Sequence, residues 1–442
     1  MPASSAKDHS TSFVSVEQQP SAVHFEFRWY HWAFLIPLAI LGPAAQDCYI
    51  PNMPQMAAEF GTTNMIAGLT LQTNWLVKCV TNPSIGFMAD RAGRRPVIMG
   101  SLIIFVVGSV LCAVSPSINC LLVARLFQAA GESAGSLMPS IICDVIDEPA
   151  KRMQVQTMLG QIRPFVIFLS PCVGGIIGEF FGWRVVFWFL ALWGFAVLVQ
   201  VTLLLPETRH DAPALVDSAH LSRKLRRIFC VPTSFVLLIV TTTPVAASLT
   251  MLSNFAFVME GGYGLSPLST GCLMGSVLLG MVVGSHVVSH SQLSPFKVLR
   301  LATLGYCFTI AGCLAVVAVE HLPLWTVMPV FYSMTLCQAG VLGGGMALFM
   351  EPFGDMARLA AGVSSSLGTG FGAVIALPAT AWTQHLSARG SGISGLFAFV
   401  AATLLLQQAA FWFGFHGKAP PDVRQEPPLV QQPQDTTHAD RA

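Results

Sequence analysis

An all-α membrane protein of twelve transmembrane helices in two six-helix bundles is the fold class that this sequence predicts, on three observations. Of its 442 residues, 53% are hydrophobic and only 10% charged, a balance that a water-soluble fold of this size could hardly cover with polar surface. Apolar runs of about 20 residues, the length that crosses a roughly 30 Å hydrocarbon core as a helix, recur from Trp32 almost to Phe415. Basic residues collect in alternate loops, as the positive-inside rule requires of a chain threaded repeatedly through a bilayer.

The runs place spans near residues 32–50, 67–88, 97–115, 119–144, 157–181, 184–205, 233–258, 267–289, 298–319, 323–350, 359–384 and 393–415. The loops on one side carry Arg91, Arg94, Arg95, Lys151, Arg152, the basic run from Arg223 to Arg227, Lys297 and Arg300, whereas the other side carries only Arg184 and Arg389. Both termini are therefore expected in the cytoplasm, which also requires an even number of spans. Residues up to about Glu26 lack the short apolar core of a secretory signal, so the first span is expected to be retained. The expected organisation is a disordered tail at 1–28, a first bundle at 29–205, a cytoplasmic linker at 206–230, a second bundle at 231–416 and a disordered tail, rich in Pro and Gln, at 417–442.

The halves echo each other at an offset of 203 positions, which sets Gly61 on Gly264, Arg94 on Lys297 and Glu148-Pro149 on Glu351-Pro352. The same offset sets Asp47 on Thr250, Lys78 on Met281, Arg125 on Met328 and Glu132 on Thr335. Charge inside the membrane is thus concentrated in the first half. Each such charge costs roughly 2.5 to 3.5 kcal/mol at the bilayer centre, so it is expected to face a cavity or a partner. Arg125, Gln128 and Glu132 share one helical face, and Lys78 lies at a depth where it can pair with Glu132. Arg163 in span five can attract an anionic substrate or pair with Asp144 or Asp147, and the pair is the simpler expectation. Tyr49, Gln128, Arg163 and Asn254 are the candidate cavity residues.

Several chemistries are excluded. The eleven cysteines lack paired metal-type spacing and read as small apolar fillers. His286 and His290 are four apart on one helical face, without an acidic or cysteine partner nearby, so no metal and no cofactor is expected. Gly131-Glu-Ser133-Ala-Gly135 has hydrolase-elbow spacing but lies within a membrane helix, where it reads as a packing groove. No phosphate-cradling loop is present, and no basic surface suits nucleic acid.

Gly86-Phe-Met-Ala-Asp90-Arg91-Ala-Gly93-Arg94-Arg95-Pro96, between spans two and three, resembles the signature loop of the major facilitator superfamily at every defining position. Gly86 and Gly93 permit close packing and a tight turn, and the arginines hold the loop in the cytoplasm. Asp47-Cys-Tyr49-Ile-Pro51-Asn-Met-Pro54 looks like the span-one pattern of the Bcr/CflA-type drug:proton antiporters of that superfamily. Arg125-Leu-Phe-Gln128-Ala-Ala-Gly131 resembles the span-four motif, with Ala129 in place of a glycine. Ser170-Pro171-Cys-Val-Gly174-Gly175-Ile-Ile-Gly178 is similar to the antiporter motif of span five, with Ser170 in place of a glycine, and Phe257 to Pro267 matches the link between spans seven and eight.

The resemblance implies a gating role for the signature loop, with Asp144 as a partner for Arg91 or Arg94. It also implies a proton or substrate role for Asp47 and a contact of Gly174, Gly175 and Gly178 with the second half. Glu132 is added on physical grounds, because burial raises a carboxylate's proton affinity and a nearby cation lowers it. The expected activity is export of small amphipathic compounds in exchange for protons by a monomer in a bacterial inner membrane. A symporter or facilitator importing a metabolite is the alternative that the extra charges Lys78, Glu132 and Arg163 motivate. A non-transporting sensor on the same fold is the alternative from another class.

Overall fold

A computed structural model describes residues 32–146, 148–205, 232–319, 322–387 and 392–415. The two terminal tails and the linker expected from sequence lie outside these residues. Among the described residues every regular element is helical: fourteen α-helices and three 3-10 segments. The first half contains α1 (Trp32–Asp47), α2 (Met53–Glu59), α3 (Asn64–Ala92), α4 (Arg94–Ala113), α5 (Ile118–Glu132), α6 (Met138–Val145), α7 (Pro149–Phe181) and α8 (Trp183–Leu204). The second contains α9 (Pro232–Tyr263), α10 (Pro267–His290), α11 (Pro295–Ala318), α12 (Leu324–Met350), α13 (Ala357–Ser387) and α14 (Gly392–Phe415).

Two of the helical columns are interrupted. Ile50–Asn52 is a 3-10 turn between α1 and α2, and Ser133–Leu137 is one between α5 and α6. Counting each interrupted pair as one column gives twelve among the described residues. The first column therefore reaches Glu59 rather than ending near residue 50, and Asp47 lies inside it, only 5% exposed. Pro51 and Pro54 read locally as stop signals because they remove backbone donors, but each sits in the first turn of its segment, where no donor is needed. The small-residue run Gly131 to Gly135 is likewise not continuous helix, since it enters the second 3-10 segment.

Among the described residues, ten helices are long and apolar enough to cross a membrane. The two columns outside that set are α3 and α5–α6, which carry Gln72, Asn74 and Lys78 on one and Arg125, Gln128 and Glu132 on the other. Polarity sets them apart, not length, for α3 alone has 29 residues. Large apolar side chains such as Phe180, Phe181, Leu192, Leu203, Trp325 and Phe413 are exposed, as expected of surfaces that face lipid.

Within the first half, α4 packs on α5 and α8, α3 on α5, and α1 on α7; within the second, α12 packs on α11 and α10, and α9 on α13 and α14. The halves meet along two seams, α7 with α10 and α3 with α13. Glycine makes the first seam close: a Cβ at Gly271 would overlap the carbonyl of Pro171, and one at Gly275 the carbonyl of Phe168. In the second seam, Cys79 Sγ donates to the carbonyl of Ser366 at 3.0 Å. The sequence echo has structural counterparts. Gly61 and Gly264 both take positive φ, 58° and 68°, in the loops after α2 and α9.

Candidate functional site

The polarity of α3 and α5 is spent on each other. Glu132, at the end of α5, has a fully buried side chain that forms an ion pair with Lys78 Nζ. Asn74, one turn before Lys78 on α3, donates from Nδ2 to both carboxylate oxygens of Glu132 at 3.0 Å. Lys78 Nζ also donates to Gln46 Oε1 on α1 at 3.0 Å, and 14% of its side chain is exposed. The carboxylate is thus enclosed, while its cationic partner forms the open edge of the pair. Isolated, either charge would be prohibitive at this depth, and the shared hydrogen bonds are what make the burial tolerable.

Two turns earlier on α5, Arg125 is completely buried. Its Nη1 donates to Gln128 Oε1, its Nε reaches the carbonyl of Thr70 at 3.4 Å, and its guanidinium lies 4.2 Å from the centre of the Tyr49 ring. A guanidinium over an aromatic face is held by the ring's quadrupole and keeps its charge with little water. Gln128 Nε2 in turn donates to Ser109 Oγ of α4 at 2.9 Å. Gly108 lets α4 approach this closely, because a Cβ there would collide with the backbone of Gln128. Asp47, Tyr49, Arg125, Gln128 and Glu132 are buried within the first half, with Lys78 at the edge of Glu132. Asn254 lies in the second, where its Nδ2 donates to the carbonyl of Thr250 at 2.8 Å and to Thr380 Oγ1 at 3.2 Å. The side chains of Arg163 and Asp144, and residue Asp147, lie outside the described residues.

A family model for the Major Facilitator Superfamily matches residues 35–377. The chain belongs to the major facilitator superfamily. It is 26% identical to the multidrug resistance protein MdtL of Escherichia fergusonii over 335 residues, which are 75% of this chain and 82% of that one. Its fold resembles that of a bacterial homologue of the human lysosomal transporter Spinster in an inward-facing, occupied conformation, with a TM-score of 0.69 and 16% identity over 90% of this chain and all of the other. A D-xylose–proton symporter matches with a TM-score of 0.68 and 13% identity over 87% of this chain and 97% of that one. The protein is a transporter, not an enzyme, and a multi-pass membrane protein.

In the superfamily's signature loop, Gly93 has φ of 95° and terminates α3, a conformation that other residues rarely adopt. Asp90 pairs with Arg94 at 3.9 Å, Arg91 lies 3.9 Å from the centre of the Phe87 ring, and Arg95 donates to the carbonyl of Thr202 at 2.7 Å. Gly86 departs from expectation. A Cβ there would meet nothing within 4 Å, so it makes no close helix contact in this conformation.

The span-five motif also differs in its partners. A Cβ at Gly174 would overlap the carbonyl of Cys48 and one at Gly178 the side chain of Asn52, so both glycines seat α7 against the first column of its own half. Asn52 Nδ2 donates to the carbonyl of Gly174 at 2.9 Å. Of the three glycines, Gly175 is the one that faces the second half, at the carbonyl of Pro267. Neighbouring Pro171 adds its contact with Gly271.

Sequence reasoning missed Gln46, Asn74, Thr70 and Ser109. The spacing of Asn74 and Lys78, four apart in an otherwise apolar stretch, was the available signal for one of them. His286 and His290 stack their rings, with centroids 4.1 Å apart, and His290 Nδ1 lies 3.0 Å from the carbonyl of His286.

Proposed function

We propose that the protein exports small amphipathic compounds in exchange for protons by alternating access, with coupling seated in the first half. The observation that carries this reading is the enclosed Lys78–Glu132 pair, held by Asn74 and Gln46 across three helices. A proton arriving on Glu132 removes the charge that holds Lys78, so protonation changes how α3 sits against α5 and α1. Asp47, buried on α1, is the second carboxylate of the exchange. Arg125, fixed by Tyr49 and Gln128, places a second buried cation two turns from Glu132 on the same helix.

The second half supplies a neutral wall. Ser248 donates to Gln338 Oε1 at 2.6 Å, Gln72 of α3 reaches Ser253 Oγ at 3.2 Å, and Asn254 bonds to Thr380. Neutral polar groups among Met and Phe suit an amphipathic solute. Arg163 is the further cavity candidate. The signature loop with Asp144 gates the cytoplasmic side, and Pro171 with Gly174, Gly175 and Gly178 holds span five in place. The basic loops support cytoplasmic termini, and the similarity to MdtL, a multidrug resistance protein of Escherichia fergusonii, supports efflux.

Lys78 favours one second reading. Because the lysine is the open edge of the pair, an anionic or zwitterionic metabolite can compete with Glu132 for it, and symport then replaces exchange. The deciding experiment measures internal pH in proteoliposomes of wild-type, Asp47→Asn and Glu132→Gln protein, with lipophilic cations and small metabolites added under an imposed proton gradient. Compound-triggered proton flux that either substitution abolishes is the expected result. Compounds that cross all three proteins equally, without proton movement, would overturn it.

A further inference from the structure

Two thiols meet where the halves join. Cys172 lies on α7 and is buried, whereas Cys272 lies on α10 and is exposed. Cys172 Sγ donates to the carbonyl of Gly271, the residue that precedes Cys272, at 3.7 Å. Glycine creates this proximity. Gly271, next to Cys272, lies against the carbonyl of Pro171, next to Cys172, and a Cβ at Gly275 would come within 3.0 Å of Cys172 Sγ. A disulfide needs two Cα atoms within about 4.4 to 6.8 Å of each other, a separation that helix backbones reach only where small residues line the crossing.

We propose that Cys172 and Cys272 form an oxidisable pair whose disulfide ties the two halves together and arrests alternating access. The oxidant class is a lipid-soluble organic disulfide, which reaches Cys272 from its exposed side. The Cys272 thiolate attacks the S–S bond of the reagent and expels one thiol. The Cys172 thiolate then attacks the Cys272 sulfur of the mixed disulfide and expels the second. The cysteines give up two electrons and two protons, and the reagent leaves as two thiols. An S–S bond of about 2.05 Å across the α7–α10 seam leaves the halves no freedom to slide there. The linkage is independent of the transport reading, whereas the arrest rests on it.

The test treats the full-length protein in proteoliposomes with 4,4′-dithiodipyridine, blocks remaining thiols with N-ethylmaleimide and identifies linked peptides by mass spectrometry. The expected product joins the peptides containing Cys172 and Cys272, and dithiothreitol reverses it. Compound flux falls to the level of protein-free vesicles and returns on reduction, while Cys272→Ser protein keeps its flux throughout. A reagent adduct on Cys272 alone, or a Cys172–Cys48 linkage, would overturn the pair. Linked protein that transports at the unlinked rate would overturn the arrest. Where untreated protein moves no compound, the transport reading fails, and the peptide result alone decides the linkage.

Discussion

The two halves build the same contact from opposite materials. In the first, Glu132 of α5 accepts hydrogen bonds from Asn74 of α3. At the positions 203 residues further on, Thr335 of α12 donates to the carbonyl of Val277 of α10 at 2.9 Å. Both contacts join corresponding helices at corresponding depth, but one holds a buried charge and the other a hydroxyl satisfied by backbone. Thr250, opposite Asp47, bonds to the carbonyl of Ala246 in its own helix at 2.9 Å, and Met281 and Met328 replace the two cations. A threonine hydroxyl bonded to a backbone carbonyl carries no ionisable group, whereas the contact of Glu132 with Lys78 carries two. The second half therefore preserves the packing of the contact without its chemistry.

That contrast is broken most severely by separating the charges. Lys78→Met leaves the enclosed Glu132 with no cation and is expected to cost about 3–5 kcal/mol of stability, whereas Glu132→Gln leaves Lys78, at the open edge, beside a neutral amide and is expected to cost less. The double variant Lys78→Met with Glu132→Thr copies the second half into the first. It is expected to be more stable than either single variant in thermal unfolding, yet to carry no proton flux. A double variant less stable than both singles would mean that the pair is not the unit that the geometry describes.

The ion pair was legible in the sequence because two opposite charges in apolar runs have few tolerable fates. Asn74 and Gln46 were not, since a neutral amide costs less in a membrane and stands out less against its surroundings. The interrupted columns were hidden for another reason. Pro51 and Pro54 terminate a helix by local rules, and only the fold reveals a 3-10 turn that carries the column onward to Glu59. The roles of the span-five glycines depended on which neighbour each one faces, a property of the assembled bundle. Cys172 and Cys272 lie far apart along the chain, and no local pattern marks them as neighbours.

Glycine offers a sharper version of the same comparison, because equal substitutions in two motifs of the first half should have unequal results. Gly174→Ala pushes a methyl group into the carbonyl of Cys48 and displaces the Asn52 hydrogen bond, which is expected to cost about 1–3 kcal/mol or more. Gly86→Ala meets open space and is expected to leave unfolding temperature unchanged or slightly raised, because alanine favours helix. Equal losses in both variants would show that Gly86 packs closely in a second conformation, one that this structure does not represent.

The smallest expected effect concerns how one half holds the other. Glu179, near the end of α7, accepts a hydrogen bond from the backbone N–H of Leu268 at 2.9 Å, in the first turn of α10. Ser266 already caps α10 from within its own half, accepting from Ser269 N at 3.3 Å. The first half thus supplies a second acceptor to a helix terminus of the other half, where the positive end of the helix dipole favours a carboxylate. Any motion that separates α7 from α10 at this end breaks the bond, so Glu179 stabilises the conformation described here over one that opens there. Glu179→Ala is expected to remove about 1 kcal/mol, roughly a fivefold shift in the balance between the two conformations. Glu179→Gln, which keeps an acceptor without the charge, should lose less. Distances between spin labels on α7 and α10, measured at low and at high salt, check this: the wild-type population should move toward the alanine variant as salt screens the carboxylate, and an unchanged distribution in all three proteins would assign the bond no part in holding the halves together.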